Sequence, residues 1–169
     1  AAAEHLEQAH RFAPTDSRVL MAAGIAAQMQ GEHQRAVNFL QTSLEKNPSE
    51  SHTLAELGVA RFFVTRELSP SIEMIALAEK SSPNHPRFGI WAYRRGICHY
   101  EAGNLAQSVA AHFEAIARLP VYHHVYFTLA LVLTQKGEQN EAAQSIRRGL
   151  RYAPNMQYSE YEAGVLSYG

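Results

Sequence analysis

The chain contains one cysteine and one tryptophan in 169 residues. With Cys98 alone, no internal disulfide can form, which fits a reducing compartment and leads us to expect a cytoplasmic location. Charge of one sign is also lacking: the formal net charge is −1, and a nucleic-acid footprint would need clustered excess Lys and Arg, so no nucleic-acid partner is expected. No apolar run reaches the roughly 18 residues that a membrane helix requires, so no membrane insertion is expected. The longest run, around Phe127–Leu133, suits a buried helix. Glycines occur singly rather than as a phosphate-cradling loop. The chain opens on Ala1 with helical patterning and no initiator Met, from which a piece of a longer protein is expected.

What the sequence does have is a period. Pro154, Pro120 and Pro86 are spaced by 34 residues, and so are Pro48 and Pro14. Between prolines the pattern repeats: apolar positions at helical spacing, a turn usually centred on Gly, and a second helix. This predicts four full units over 15–48, 49–83, 87–120 and 121–154, a partial leading unit over 1–14, and a trailing helix over 155–169, all within one domain. No apolar stretch alternates with period two, so the fold class is all-α. Thr15 and Asp16 are candidate N-caps. In the second unit the turn Thr65-Arg66-Glu67-Leu68 has no Gly and runs one residue longer; Ser69 is expected to cap the next helix, with Pro70 at its first position. Ser82-Pro83-Asn84-His85-Pro86 carries a three-residue offset between the two proline series and is the expected kink or joint of the array.

Small residues recur in register: Gly24, Gly58, Gly96 and Ala130 in the first helices; Gly31, Gly103 and Gly137 in the turns; Ala36, Ser71, Ser108 and Ala142 in the second helices. Small residues let paired helices approach, and Gly allows the tight turn. In period and in these positions, nearly the whole chain resembles the tetratricopeptide-repeat family. The resemblance implies antiparallel helix pairs stacked in a right-handed superhelix. A weaker resemblance over Ser82–Pro154 is to the repeat regions of bacterial cyclase-type or winged-helix signalling regulators. There are departures from the pattern. Arg61 and Arg95 occupy apolar positions and should snorkel or pair, with Glu56, Glu73, Glu79 and Glu101 as candidate partners. His112 stands in place of an aromatic.

The resemblance also implies a binding groove lined by the first helices. Its positions fall on Met21 and Ile25, on Phe62, on Tyr93, Ile97 and Tyr100, on Phe127 and Leu131, and on Tyr158 and Tyr161 of the trailing helix, with Arg94 and His124 at the rim. Two readings of this apolar lining stay open: a surface for a partner's apolar or aromatic segment, or residues that pack on one another. The family's carboxylate clamp is not expected, because Met21, Ile25, Glu56 and Ile90 hold its places and only Arg94 fits. Nine histidines are present, with Cys98, His99, His112, His123 and His124 in neighbouring helices, but no metal-ligand spacing links them. Cys98 lies mid-helix with no turn to present it as a nucleophile. Arg147, Arg148 and Arg151 read as a solvated helix face. The expectation is thus a non-enzymatic interaction scaffold without cofactor or metal, taking a protein or peptide partner. The alternative is a regulatory or dimerising arm of a larger signalling protein, which leaves a homodimer open.

Overall fold

The computed structural model describes residues 15–156. Within them lie eight helices and no strand: α1 (Ser17–Met29), α2 (His33–Lys46), α3 (Ser51–Thr65), α4 (Leu68–Ser81), α5 (Phe88–Glu101), α6 (Leu105–Arg118), α7 (His123–Gln135) and α8 (Gln139–Tyr152). The chain is an all-α helical repeat. The leading unit over 1–14 and nearly all of the trailing helix, including Tyr158 and Tyr161, lie outside the described residues. By internal packing the chain divides into two compact units, 1–83 and 84–169. The division falls inside the proline-rich segment that carries the offset. His85 and Arg87 are tied to the second unit: the His85 ring stacks on Trp91 at 4.7 Å, and the Arg87 N–H donates to His85 Nδ1 at 3.1 Å.

Three of the four helix pairs close in the same way. Gly31, Gly103 and Gly137 take φ of 75°, 77° and 84°, a region that Gly enters without a Cβ clash. The residue after each Gly then donates its N–H to a carbonyl five residues back: Glu32 to Ala27, Asn104 to His99 and Glu138 to Leu133, at 2.8 to 2.9 Å. This satisfies carbonyls that the helix end leaves open. The second pair solves the problem without Gly. Arg66 itself adopts φ 59°, and the Thr65 hydroxyl accepts from the Glu67 N–H at 3.1 Å. The extra residue does not lengthen the turn: α3 grows to 15 residues, and only Arg66 and Glu67 separate it from α4. Pro70 is therefore the third residue of α4, whose N-cap is Glu67, rather than the first after a Ser69 cap. It is tolerated there because N–H groups of a first helical turn have no intrahelical partner. Asp16 is an N-cap, accepting from the Arg18 N–H at 2.8 Å.

Inside each pair the helices meet at the small positions. A Cβ on Gly24 would lie 2.5 Å from Leu40 Cγ, one on Gly58 2.8 Å from the Ser71 carbonyl oxygen, and one on Gly96 2.6 Å from the His112 ring. Ala130 fills the same place in the fourth pair and is fully buried beside Leu129, Leu133 and Ala142. Serines lock three pairs across this contact. The hydroxyls of Ser43, Ser108 and Ser145 donate to the carbonyls of Ser17, Gly96 and Tyr126 at 2.7 to 2.8 Å. Of the two arginines at apolar positions, Arg61 stays exposed, and Arg95, half-buried, pairs with Glu114, a partner the sequence reading did not include.

Gly96→Leu should destabilise the second unit by about 1–3 kcal/mol through overpacking, because the His112 ring it would strike is fully buried. Urea unfolding followed by the emission of Trp91, the single and fully buried tryptophan, reads this directly. An unchanged midpoint would show that the two helices do not meet there.

Candidate functional site

In the first unit the expected groove residues are partly used up by packing. Phe62 is 1% exposed and belongs to the core, where it meets Phe63 edge-on at 5.4 Å. Met21 is half-buried and leans on the cluster of Ala27, Ala36, Leu40, Leu57 and Ala60; Ile25 is half-buried. Between α1 and α3 the lining is polar. The Gln28 amide donates to the Glu56 carbonyl at 3.1 Å and to Glu56 Oε2 at 3.3 Å. His52 Nδ1 stands 4.0 Å from Glu56 Oε1. All three side chains are buried. Burial of a carboxylate is tolerable only with such partners, so this network ties the two first helices together.

In the second unit α5 and α7 lie side by side, and Tyr93 links them. Its hydroxyl donates to Thr128 Oγ1 at 3.2 Å, and Thr128 in turn donates to the His124 carbonyl at 3.0 Å. The Tyr93 ring meets His112 and Tyr122 edge-on. Phe127 is fully buried and Leu131 is 5% exposed. The Phe127 ring occupies the space where Gly149 of α8 has no side chain, 2.6 Å from where a Cβ would stand. Of the expected groove residues, Phe62, Tyr93, Phe127 and Leu131 are thus core or near-core. Groove and core positions share one helical period, and here the core takes these four. Arg94, Ile97 and Tyr100 of α5 and His124 of α7 remain half-exposed. Ile97 and Tyr122 pack on the cluster that includes Tyr93 and Val125. His124 lies 4.1 Å from His123 and 5.1 Å from Tyr122, ring to ring. Burial, and secondarily His123, lowers its pKa to about 4, so it is a neutral imidazole at pH 7.

His112 is a second neutral histidine, fully buried, with Nδ1 2.7 Å from the Ser108 carbonyl. That contact makes Nδ1–H the donor. Nε2 is buried with no hydrogen-bond partner. Desolvation pushes the pKa down to about 4, against the opposing effect of the Ser108 hydrogen bond. Leu40, Ile75 and Ile146 hold the corresponding place in the other repeats, so His112 acts as a packing residue with a polar edge. Cys98 is likewise buried. Among the described residues no three His, Cys, Asp or Glu side chains converge to hold a metal. No helix among them is long and apolar enough to cross a membrane.

An opening that no sequence motif marks lies between α6 and α8. It is lined by Phe113 and Ile116, by Leu129 and Leu133 of α7, and by Glu141 and Arg148, with a volume of about 320 Å³. Phe113 is 53% exposed there. Its signal was an apolar residue next to, rather than on, the buried stripe of α6.

No family model matches the chain, and no curated protein does. Its fold does match solved structures. A thermophilic tetratricopeptide-repeat protein of Thermus thermophilus, TTC0263, superposes with a TM-score of 0.77 at 18% identity, over 96% of this chain and 86% of that one. PilW, a type IV pilus biogenesis factor, gives 0.76 at 14% identity, over 96% and 79%. MamA of Desulfovibrio magneticus RS-1 gives 0.64 at 18% identity, over 91% and 85%. At these identities the likeness establishes the tetratricopeptide-repeat fold.

The buried histidine makes a pH prediction. His112 titrates at about 4 when folded and near 6.5 when unfolded. Between those values the unfolded chain binds a proton that the folded chain refuses. The second unit should therefore lose stability as pH falls from 6.5 to 4, by roughly 3 kcal/mol at most from this group, and be flat above pH 6.5. Urea midpoints read by Trp91 at pH 7.5 and 5 test this. His124, also held down to about 4, adds to this slope, so the repeat-matched variant His112→Leu should lose the His112 share and keep the rest, and a slope that survives intact would assign it to His124.

Proposed function

We propose that this chain is a protein-interaction module whose second unit receives an apolar or aromatic segment of a partner along α5 and α7. The observation that carries this reading is the division of labour within one face. Tyr93, Phe127 and Leu131 are committed to the core, while Arg94, Ile97, Tyr100 and His124 stay half-exposed on the same two helices. A stripe at i, i+3 and i+6 on α5 suits a helix or extended peptide laid across it. Held aromatic side chains bury much area at little entropic cost. Neutral His124 fits an apolar contact better than a charged one, and Arg94 places a positive charge at the edge. Structural neighbours of this fold give the reading support only at the level of architecture.

The second reading, a dimerising arm, is favoured by a different observation: Glu141 and Arg148 of α8 border one opening and, like Arg147 and Arg151 of the same helix, have no ion-pair partner among the described residues.

Selection from a displayed library of random peptides tests the first reading. Selected peptides should carry an aromatic or large aliphatic anchor. Tyr100→Ala should weaken their binding by about tenfold or more, as removal of a central aromatic does, with helicity and unfolding midpoint unchanged. Phe127→Ala should instead unfold the unit. Peptides without an apolar anchor, or equal binding to Tyr100→Ala, would sink the assignment.

A further inference from the structure

The opening between α6 and α8 is independent of the face just described. Its base is apolar, formed by Ile116, Leu129 and Leu133, and Phe113 stands over its edge half out of contact. Tyr152, 46% exposed, continues the α8 side and is stacked on Tyr126, which also lines the opening. Exposed apolar area is therefore concentrated here: Phe113 and Tyr152 are two of the three large apolar side chains that the second unit exposes among its described residues.

The charges on α8 identify an occupant. Glu141 and Arg148 both border the opening and both are exposed. They are two helical turns apart, about 10 Å along the axis, too far to pair with each other. Neither has an ion pair among the described residues. A foreign helix would need an acid and a base two turns apart to match them. The chain already carries that pattern. When α8 is laid antiparallel on a second α8, with a twofold axis between Gln144 and Ser145, each Glu141 faces the other copy's Arg148. A twofold interface must be self-complementary in this way.

We propose that α8 and the opening beside it form the interface of a twofold homodimer of this chain. The Phe113 and Tyr152 rings supply the apolar area. Glu141 and Arg148 fix register and antiparallel direction, since exposed ion pairs contribute little affinity by themselves but discriminate strongly between alignments.

Sedimentation equilibrium of the 169-residue chain tests this with two single variants. Glu141→Arg places Arg against Arg at both contacts, and Arg148→Glu places Glu against Glu, so each should dimerise at least tenfold more weakly than the wild type. An equimolar mixture of the two should recover dimer, because both cross-contacts become Arg–Glu. Phe113→Ser should weaken the dimer with an unchanged circular dichroism spectrum. A wild-type chain that stays monomeric across the accessible concentrations overturns the proposal. So do single variants that dimerise like the wild type, a mixture no better than its components, or a Phe113→Ser dimer of wild-type strength. None of these results bears on peptide binding by α5 and α7, so the two readings fail separately.

Discussion

The helix pairs of this chain depend on a small residue in the first helix that lets the second approach. At Gly24 the Leu40 side chain stands where a side chain of the first helix would otherwise be, at Gly58 the Ser71 carbonyl and at Gly96 the His112 ring. This approach brings helix backbones close enough for serine hydroxyls to reach carbonyls across the pair. Those carbonyls already accept within their own helix or begin it, so the serine bond adds to the ladder rather than replacing it. The close contact also fixes register. Sliding one helix by a residue would turn the small position away and drive a larger side chain into its neighbour, at a cost comparable to overpacking a core.

The same contact explains why the second pair tolerates its irregular turn. Its small positions, Gly58 and Ser71, are one residue further apart than those of the other pairs. The structure keeps the contact and absorbs the difference elsewhere, by lengthening α3 and placing Arg66 in the left-handed region. A non-Gly residue there costs about 1–2 kcal/mol. The Thr65 hydroxyl offsets part of it by capping Glu67, and the Arg66 guanidinium lies 5.5 Å from the Phe63 ring centre, a favourable contact. Packing between helices outranks turn geometry in setting the frame.

Legibility in the sequence follows from this ranking. The helix pairs, the turn glycines and the site of division near Pro83 could be read because each leaves a local mark: a period, a residue that alone tolerates positive φ, a pair of prolines. What could not be read was which apolar residues on a first helix face outward. Phe127 and Tyr100 occupy different turns of equivalent stripes, yet one is fully buried and the other half-exposed. The difference for Phe127 arises from Gly149, more than twenty residues away, whose missing side chain admits the ring. A periodicity argument sees a helix face but not the gap opposite it. The Arg95–Glu114 and Gln28–Glu56 pairings were hidden for the same reason, since both join different helices.

That distinction bears on what the two helix faces can do. A first helix in this fold is buried on more sides than a second, because it touches its own partner and also neighbouring repeats; α3 and α7 accordingly bury ten and nine residues, against three each for α4 and α8. Apolar residues on first helices are therefore consumed by the core, and few remain half-exposed. Second helices bury one narrow stripe and leave most of their surface to charge. An apolar residue on that surface, such as Phe113, gains little from its own chain's folding. Its stabilisation comes from burial against another surface, and the charges around it decide which surface fits. A segment laid along first helices would meet side chains already placed by the core, whereas a surface laid along second helices would be selected by complementarity.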